Sequence, residues 1–235
     1  ITKQGTYYMN FTKILPLVAM LLTTSTFAVD FNQDGTPDLL FQNDKGYVKT
    51  WELDASYAKT ERWLTNLGSS DWKVYTKDIT DLDNDGDVDL VIQNSTTGYI
   101  QAIQMDGFSK SAVKWIANPQ GVDWKIVGIS DIDNNNYPDI ILQQTSTGYL
   151  KAFKLGSDFS ATPQWIGNPG ADWTVQSVTD IDNDKVADIV LRQTSTGYLK
   201  AFKLNTSFAK TEKWIGNPQG TDWTVQSVTD VDGDS

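Results

Sequence analysis

An acidic cluster recurs five times along this chain at a near-constant interval, and that recurrence limits the available folds more than any other feature. The first aspartates of the clusters are Asp30, Asp81, Asp131, Asp180 and Asp230, at spacings of 51, 50, 49 and 50 residues. A period of about 20–50 residues marks an architecture of stacked units, each unable to bury its apolar faces alone. The units run 30–80, 81–130, 131–179 and 180–229, with a partial unit over 230–235.

The same features return in order within each unit. The acidic cluster leads into a short apolar run, such as Asp89-Leu90-Val91-Ile92 or Asp188-Ile189-Val190-Leu191. A polar turn follows; Thr145-Ser146-Thr147-Gly148 and Thr194-Ser195-Thr196-Gly197 are near copies. A second apolar segment spans Tyr149 to Leu155 or Tyr198 to Leu204, and a third is centred on Trp63, Trp115, Trp165 or Trp214. After an Asn-Pro turn in the later units, a fourth segment opens with Asp-Trp, as at Asp172-Trp173.

Short segments rich in Val, Ile, Tyr, Phe and Trp between Gly, Asn and Pro turns read as strands. No segment keeps the three-and-four apolar spacing of an amphipathic helix over ten residues. Four strands per unit predict an all-β fold, a β-propeller with four-stranded blades. A string of independent modules is the competing reading, but units this small without disulfides are marginal alone. Closed propellers join their first and last blades, so four full units fit a fragment, an open incomplete propeller, or one that pairs with a second copy.

Composition removes whole classes of chemistry. Neither cysteine nor histidine is present, so disulfides, thiolate metal sites, a Cys nucleophile and a His general base are excluded. Nineteen basic against 30 acidic side chains give a net charge of −11, the wrong sign for a nucleic-acid partner. At the amino terminus, Met9 to Lys13 is a short, weakly positive start, Ile14 to Leu22 is apolar, and Thr26-Phe27-Ala28 offers a cleavage site. This reads as a signal peptide over 9–28, preceded by a non-native upstream extension over 1–8. The expected mature chain is secreted, extracellular or periplasmic, with no membrane span. Removing residues 1–28 takes away two lysines and no acid, which moves the charge from −11 to −13.

The clusters have ligand-like spacing. The first offers Asp30, Asn32, Asp34 and Asp38; the second Asp81, Asp83, Asp85 and Asp89. The third offers Asp131, Asp133, Asn135 and Asp139; the fourth Asp180, Asp182, Asp184 and Asp188. Oxygen side chains therefore stand at loop positions 1, 3, 5 and 9. Calcium takes six to eight oxygens and tolerates irregular geometry, so alternate carboxylates on a tightly turned loop suit it. Position 7 is expected to contribute a backbone carbonyl, leaving its side chain free to vary through Thr36, Asp87, Tyr137 and Val186. Position 6 is expected to need a positive φ. It is Gly35 and Gly86 in the first two loops, Asn136 in the third and Lys185 in the fourth, where lysine costs strain. Position 12 is Phe41, Ile92, Leu142 or Leu191, never the bidentate Glu of an EF-hand. The alternative is that the aspartates only make Asx turns.

The pattern Asp-x-Asp-x-Asp-Gly-x-x-Asp followed by two aliphatics, repeated every fifty residues, resembles the FG-GAP or VCBS repeats of secreted bacterial proteins, relatives of the integrin α-subunit propeller. The resemblance covers residues 30–235 and implies a propeller with one Ca2+ per complete loop. The second loop is expected to bind most tightly and the truncated fifth least, with the ions bracing corners between successive sheets. The functional expectation is a non-enzymatic adhesion or ligand-binding module for an extracellular protein or glycan. Alternatives are a propeller lectin, with Trp165 to Trp173 enclosing Asn168 and Asp172, or the non-catalytic propeller of a larger secreted enzyme. Against the lectin, strand tryptophans are expected to wedge between blades as core.

Overall fold

A computed structural model describes residues 29–228. The expected signal peptide over 9–28, the extension over 1–8 and the fifth cluster from Asp230 lie outside the described residues. Four antiparallel sheets follow one another along the chain. The first holds β1 (Leu39–Gln42), β2 (Tyr47–Leu53) and β3 (Lys59–Asn66). The second holds β4 (Trp72–Val74), β5 (Leu90–Asn94), β6 (Ile100–Asp106) and β7 (Ser109–Ala117). In the third are β8 (Trp124–Ser130), β9 (Asp139–Gln144), β10 (Leu150–Leu155) and β11 (Ala161–Gly167). In the fourth are β12 (Trp173–Thr179), β13 (Asp188–Gln193), β14 (Leu199–Leu204) and β15 (Lys210–Gly216). The chain is all-β and propeller-like, as the periodicity implies, with three strands rather than four in the first sheet.

The sheets are staggered against the sequence repeats. β4, β8 and β12 close one repeat yet pair with the first strand of the next; Trp124 lies opposite Gln144, and Ser130 opposite Asp139. The acidic loops consequently join β4 to β5, β8 to β9 and β12 to β13. They close hairpins inside one sheet, which corrects the expectation that they brace corners between sheets. Hairpin pairing satisfies the backbone groups on both sides of the loop locally, which a corner would leave open.

Burial lies in the layers between sheets. In β9, Ile140 and Leu142 pack with Val91, Ile126 and Phe153, whereas Ile141 packs on the other side with Val178, Ile189 and Leu191. Successive strand residues face opposite sides. A sheet covered on both faces therefore needs the unbroken apolar runs seen in the sequence. Loop position 2 plugs these layers through Phe31, Leu82 and Ile132, each at most 1% exposed.

One side chain per repeat stitches each sheet to the next. The Gln143 amide donates to the Trp173 carbonyl at 2.6 Å and accepts from the Val175 amide at 3.2 Å. Gln42 makes the same pair of bonds with Trp72 and Val74, and Gln93 with Trp124 and Ile126. The fourth repeat has Arg192 there, donating to the Thr221 carbonyl at 2.8 Å. The first strands of the sheets approach one another: β8 packs on β12 at Gly128 against Val178, and Lys77, after β4, donates to the Gln176 carbonyl of β12. The Asp-Trp and Thr-Ser-Thr-Gly signatures are two halves of one feature. Asp123 accepts from both hydroxyls of Thr145 and Ser146, and Asp172 from those of Thr194 and Ser195. These bonds hold both carboxyls below the usual carboxylate range.

The expectation that the repeated tryptophans are core holds for two of them and is corrected for the strand-centred four. Trp124 and Trp173 are buried at the start of β8 and β12, but Trp63, Trp115, Trp165 and Trp214 are 52–68% exposed. The exposed four stand on β3, β7, β11 and β15, the last strand of each sheet, where one flank has no neighbouring strand. Each meets a tyrosine edge-on, Tyr149 against Trp165 at 6.0 Å being one case.

Candidate metal centre

Each loop is shaped by its own side chains. The carboxylate at position 1 accepts the amides of positions 5 and 6: Asp81 from Asp85 and Gly86, Asp131 from Asn135 and Asn136, Asp180 from Asp184 and Lys185, Asp30 from Asp34 and Gly35. Position 5 accepts the amide of position 7, as Asp85 does from Asp87 at 2.9 Å and Asn135 from Tyr137 at 2.8 Å. Asp34 and Asp184 do the same for Thr36 and Val186. Position 7 thus takes part in shaping the loop through its main-chain N–H, whatever its side chain. The backbone is left-handed at position 6, with φ of 84° at Gly35, 103° at Gly86, 70° at Asn136 and 69° at Lys185. It is left-handed at position 4 too, at Gln33, Asn84, Asn134 and Asn183. Sequence reasoning missed that second requirement. Asparagine at position 4 in three of the loops is its signal, since asparagine enters this region readily.

The aspartate at position 9 is a buried clamp. Asp139 accepts the Ile132 amide on one oxygen and the Leu155 amide on the other, each at 3.0 Å. Asp89 does the same with Leu82 and Met105, and Asp38 with Phe31 and Leu53; Asp188 accepts from Leu204. Burial pushes Asp89 and Asp139 up to about 7 against the pull of these amides, and the neighbouring aspartates add to the rise. Asp38 and Asp188 are raised for the same first reason.

Position 3 is different. Asp83 Oδ1 and Asp133 Oδ1 are buried and have no hydrogen-bond partner. The Asp133 side chain is only 5% exposed. A buried carboxylate oxygen without a donor is costly. Both belong to clusters whose ligand atoms lie within 4.8 Å of one another: Asp81, Asp83 and Asp85 in the second loop, Asp131, Asp133 and Asp139 in the third. Asp180, Asp182 and Asp188 form the corresponding cluster in the fourth. The first loop, with Asn32 at position 3, brings no such carboxylate triad together among the described residues. Asn32 there hydrogen-bonds Asp34 and Glu52.

The neighbouring strand sends one side chain to position 3 of every loop, and its charge changes along the chain. It is Glu52 in the first loop and Gln104 in the second, whose amide donates to Asp83 at 2.6 Å. In the third, the Lys154 ammonium pairs with Asp133; in the fourth, Lys203 pairs with Asp182 and lies 3.1 Å from Asp184. The Lys203 ammonium holds Asp184 below the usual carboxylate range. The second and third loops therefore combine clustered carboxylates with an orphaned oxygen, while in the fourth Lys203 engages two of the four carboxylates. Such an all-oxygen donor set can hold a hard divalent cation.

Among the described residues no helix is long and apolar enough to cross a membrane. No curated protein gives a significant match to the chain. Residues 81–142, which run from the second loop into β9 and so span the second and third acidic loops, match the FG-GAP-like repeat. Within that stretch lie β5, β6 and β7 of the second sheet, two hairpin loops and their buried position-9 clamps, so the matched part of the chain is similar to the FG-GAP repeat family.

Proposed function

We propose that the chain is a secreted, non-catalytic binding module whose propeller-like sheets are fixed by calcium in the hairpin loops. The observation that carries the metal reading is the pair of buried, partnerless oxygens on Asp83 and Asp133. Hydrogen bonds from backbone amides account for positions 1, 5 and 9, but they leave these two atoms unexplained. In the second loop Asp81, Asp83, Asp85 and Asp89 would hold the ion with the carbonyl of Asp87; in the third, Asp131, Asp133, Asn135 and Asp139 with that of Tyr137. The bound cation supplies positive charge to carboxylates that would otherwise repel one another. Lys154 and Lys203 compete for the same oxygens, so the second loop is the tightest site. The non-catalytic reading is supported by the acids recurring at ligand spacing in every repeat, whereas catalytic groups converge at one place.

Calorimetric titration of the metal-stripped protein with calcium tests this. Asp83→Asn should remove the tightest site, and Lys154→Gln should tighten the third-loop site severalfold. Indistinguishable titrations of wild type and Asp83→Asn would sink the metal reading, as would identical melting curves in chelator and in millimolar calcium.

A further inference from the structure

A buried lysine without an acid partner stands at the end of the third sheet, and comparison with the other sheets shows why it is unusual. The strand register aligns four positions: Lys49 opposite Trp63, Gln101 opposite Trp115, Lys151 opposite Trp165 and Lys200 opposite Trp214. Two residues further along the same pairs of strands lie Glu61, Val113, Pro163 and Glu212. In the first and fourth sheets the lysine is neutralised, by Glu61 at 2.6 Å and by Glu212 at 3.2 Å. In the second sheet both charges are missing together. The third sheet alone keeps the lysine and replaces its acid, with Pro163.

Lys151 is 8% exposed, and no carboxylate pairs with it among the described residues. Its ammonium donates to the Pro119 carbonyl at 3.0 Å and lies 3.9 Å from the centre of the Trp124 ring. Those contacts hold the ammonium in place while two of its three N–H donors remain for another acceptor. Burial holds its pKa below the ordinary lysine value, so an arriving anion would recover free energy that the isolated charge loses. The lysine lines a cavity of about 250 Å³ together with Trp124, Trp165, Asn118, Gln120 and Gln164.

We propose that this cavity binds a sugar acid of the hexuronate class, its carboxylate on Lys151 and its ring against the exposed indole of Trp165. The assignment rests on the reading of the chain as a binding module and names the ligand chemistry of one site. The cavity is smaller than the ~300–1,000 Å³ that encloses drug-sized ligands, which suits a single ring. The amides of Asn118, Gln120 and Gln164 offer the paired donors and acceptors that ring hydroxyls require. An aliphatic acid would use the lysine and leave these amides and the Trp165 indole idle.

The test is titration with glucuronate, glucose and acetate, followed by tryptophan fluorescence and calorimetry, on the wild-type chain in calcium. Glucuronate should bind at least tenfold more tightly than either of the others. Pro163→Glu restores the acid found in the first and fourth sheets and should weaken glucuronate at least tenfold with an unchanged melting temperature. Lys151→Met should do the same. A folded protein that does not bind glucuronate, that binds glucose or acetate equally well, or that is unaffected by Pro163→Glu overturns the assignment. Calcium titration of the same samples separates the two claims: normal calcium binding without glucuronate binding removes the sugar site and leaves the metal reading standing.

Discussion

At Lys185 the fourth loop forces an L side chain into the left-handed region, at φ 69°, where its counterparts in the first two loops are glycines. A β-carbon at Gly35 or Gly86 would meet nothing within 4 Å, so space is not what selects glycine there. The cost of lysine is backbone strain, roughly 1–2 kcal/mol. Lys185→Gly should raise stability by about 1 kcal/mol in urea denaturation with chelator present, which keeps metal affinity out of the comparison. An unchanged midpoint would mean that the loop relaxes around the lysine. The left-handed requirement at position 6 was readable in the sequence because glycine marks it twice. The one at position 4 was harder to see, because asparagine has many other uses in acidic loops.

At the level of strands and turns, the glutamine stitch carries the contact between sheets. Gln143 is buried and serves one carbonyl and one amide of β12. Gln143→Ala would leave both backbone groups without partners in a place water reaches poorly, at a cost of about 2–4 kcal/mol. Gln143→Glu keeps the acceptor but sets a carboxylate oxygen against the Trp173 carbonyl, and should be at least as damaging. Thermal melts of the two variants check this; loss below 1 kcal/mol in both would show that the apolar layer alone joins the sheets. The strands themselves were legible, since alternating and continuous apolar runs report how many faces are covered. Which sheet the fourth segment joins was not legible. Trp124 to Ser130 has the same pattern whether it ends one sheet or begins the next, and only the register with β9 decides. For the same reason the two tryptophan sets looked alike in sequence. Trp165 is exposed because β11 is the last strand of its sheet, a property of topology that residue type does not encode.

Over the described residues, three apolar layers tie four sheets, and each of the first three repeats contributes to two sheets at once. No sheet after the first can melt without removing the closing strand of the repeat before it. The described chain should therefore unfold in one step, with circular dichroism and tryptophan fluorescence giving coincident urea transitions. Separated transitions would show that the sheets act as independent modules. Calcium added to the acidic loops, which lie inside hairpins, should shift that single transition without splitting it.

The stagger also fixes where such an array can be cut and rejoined. A crossover at the repeat boundary near 130 and 131 would fall at the mouth of a hairpin and part β8 from β9. A crossover between β7 and β8, in residues 118–123, divides no strand pair and exchanges a finished blade together with its loop. Shuffled arrays of this architecture should therefore tolerate seams ahead of the Asp-Trp dipeptide and fail at seams beside the aspartates, although the aspartates are the more obvious landmark.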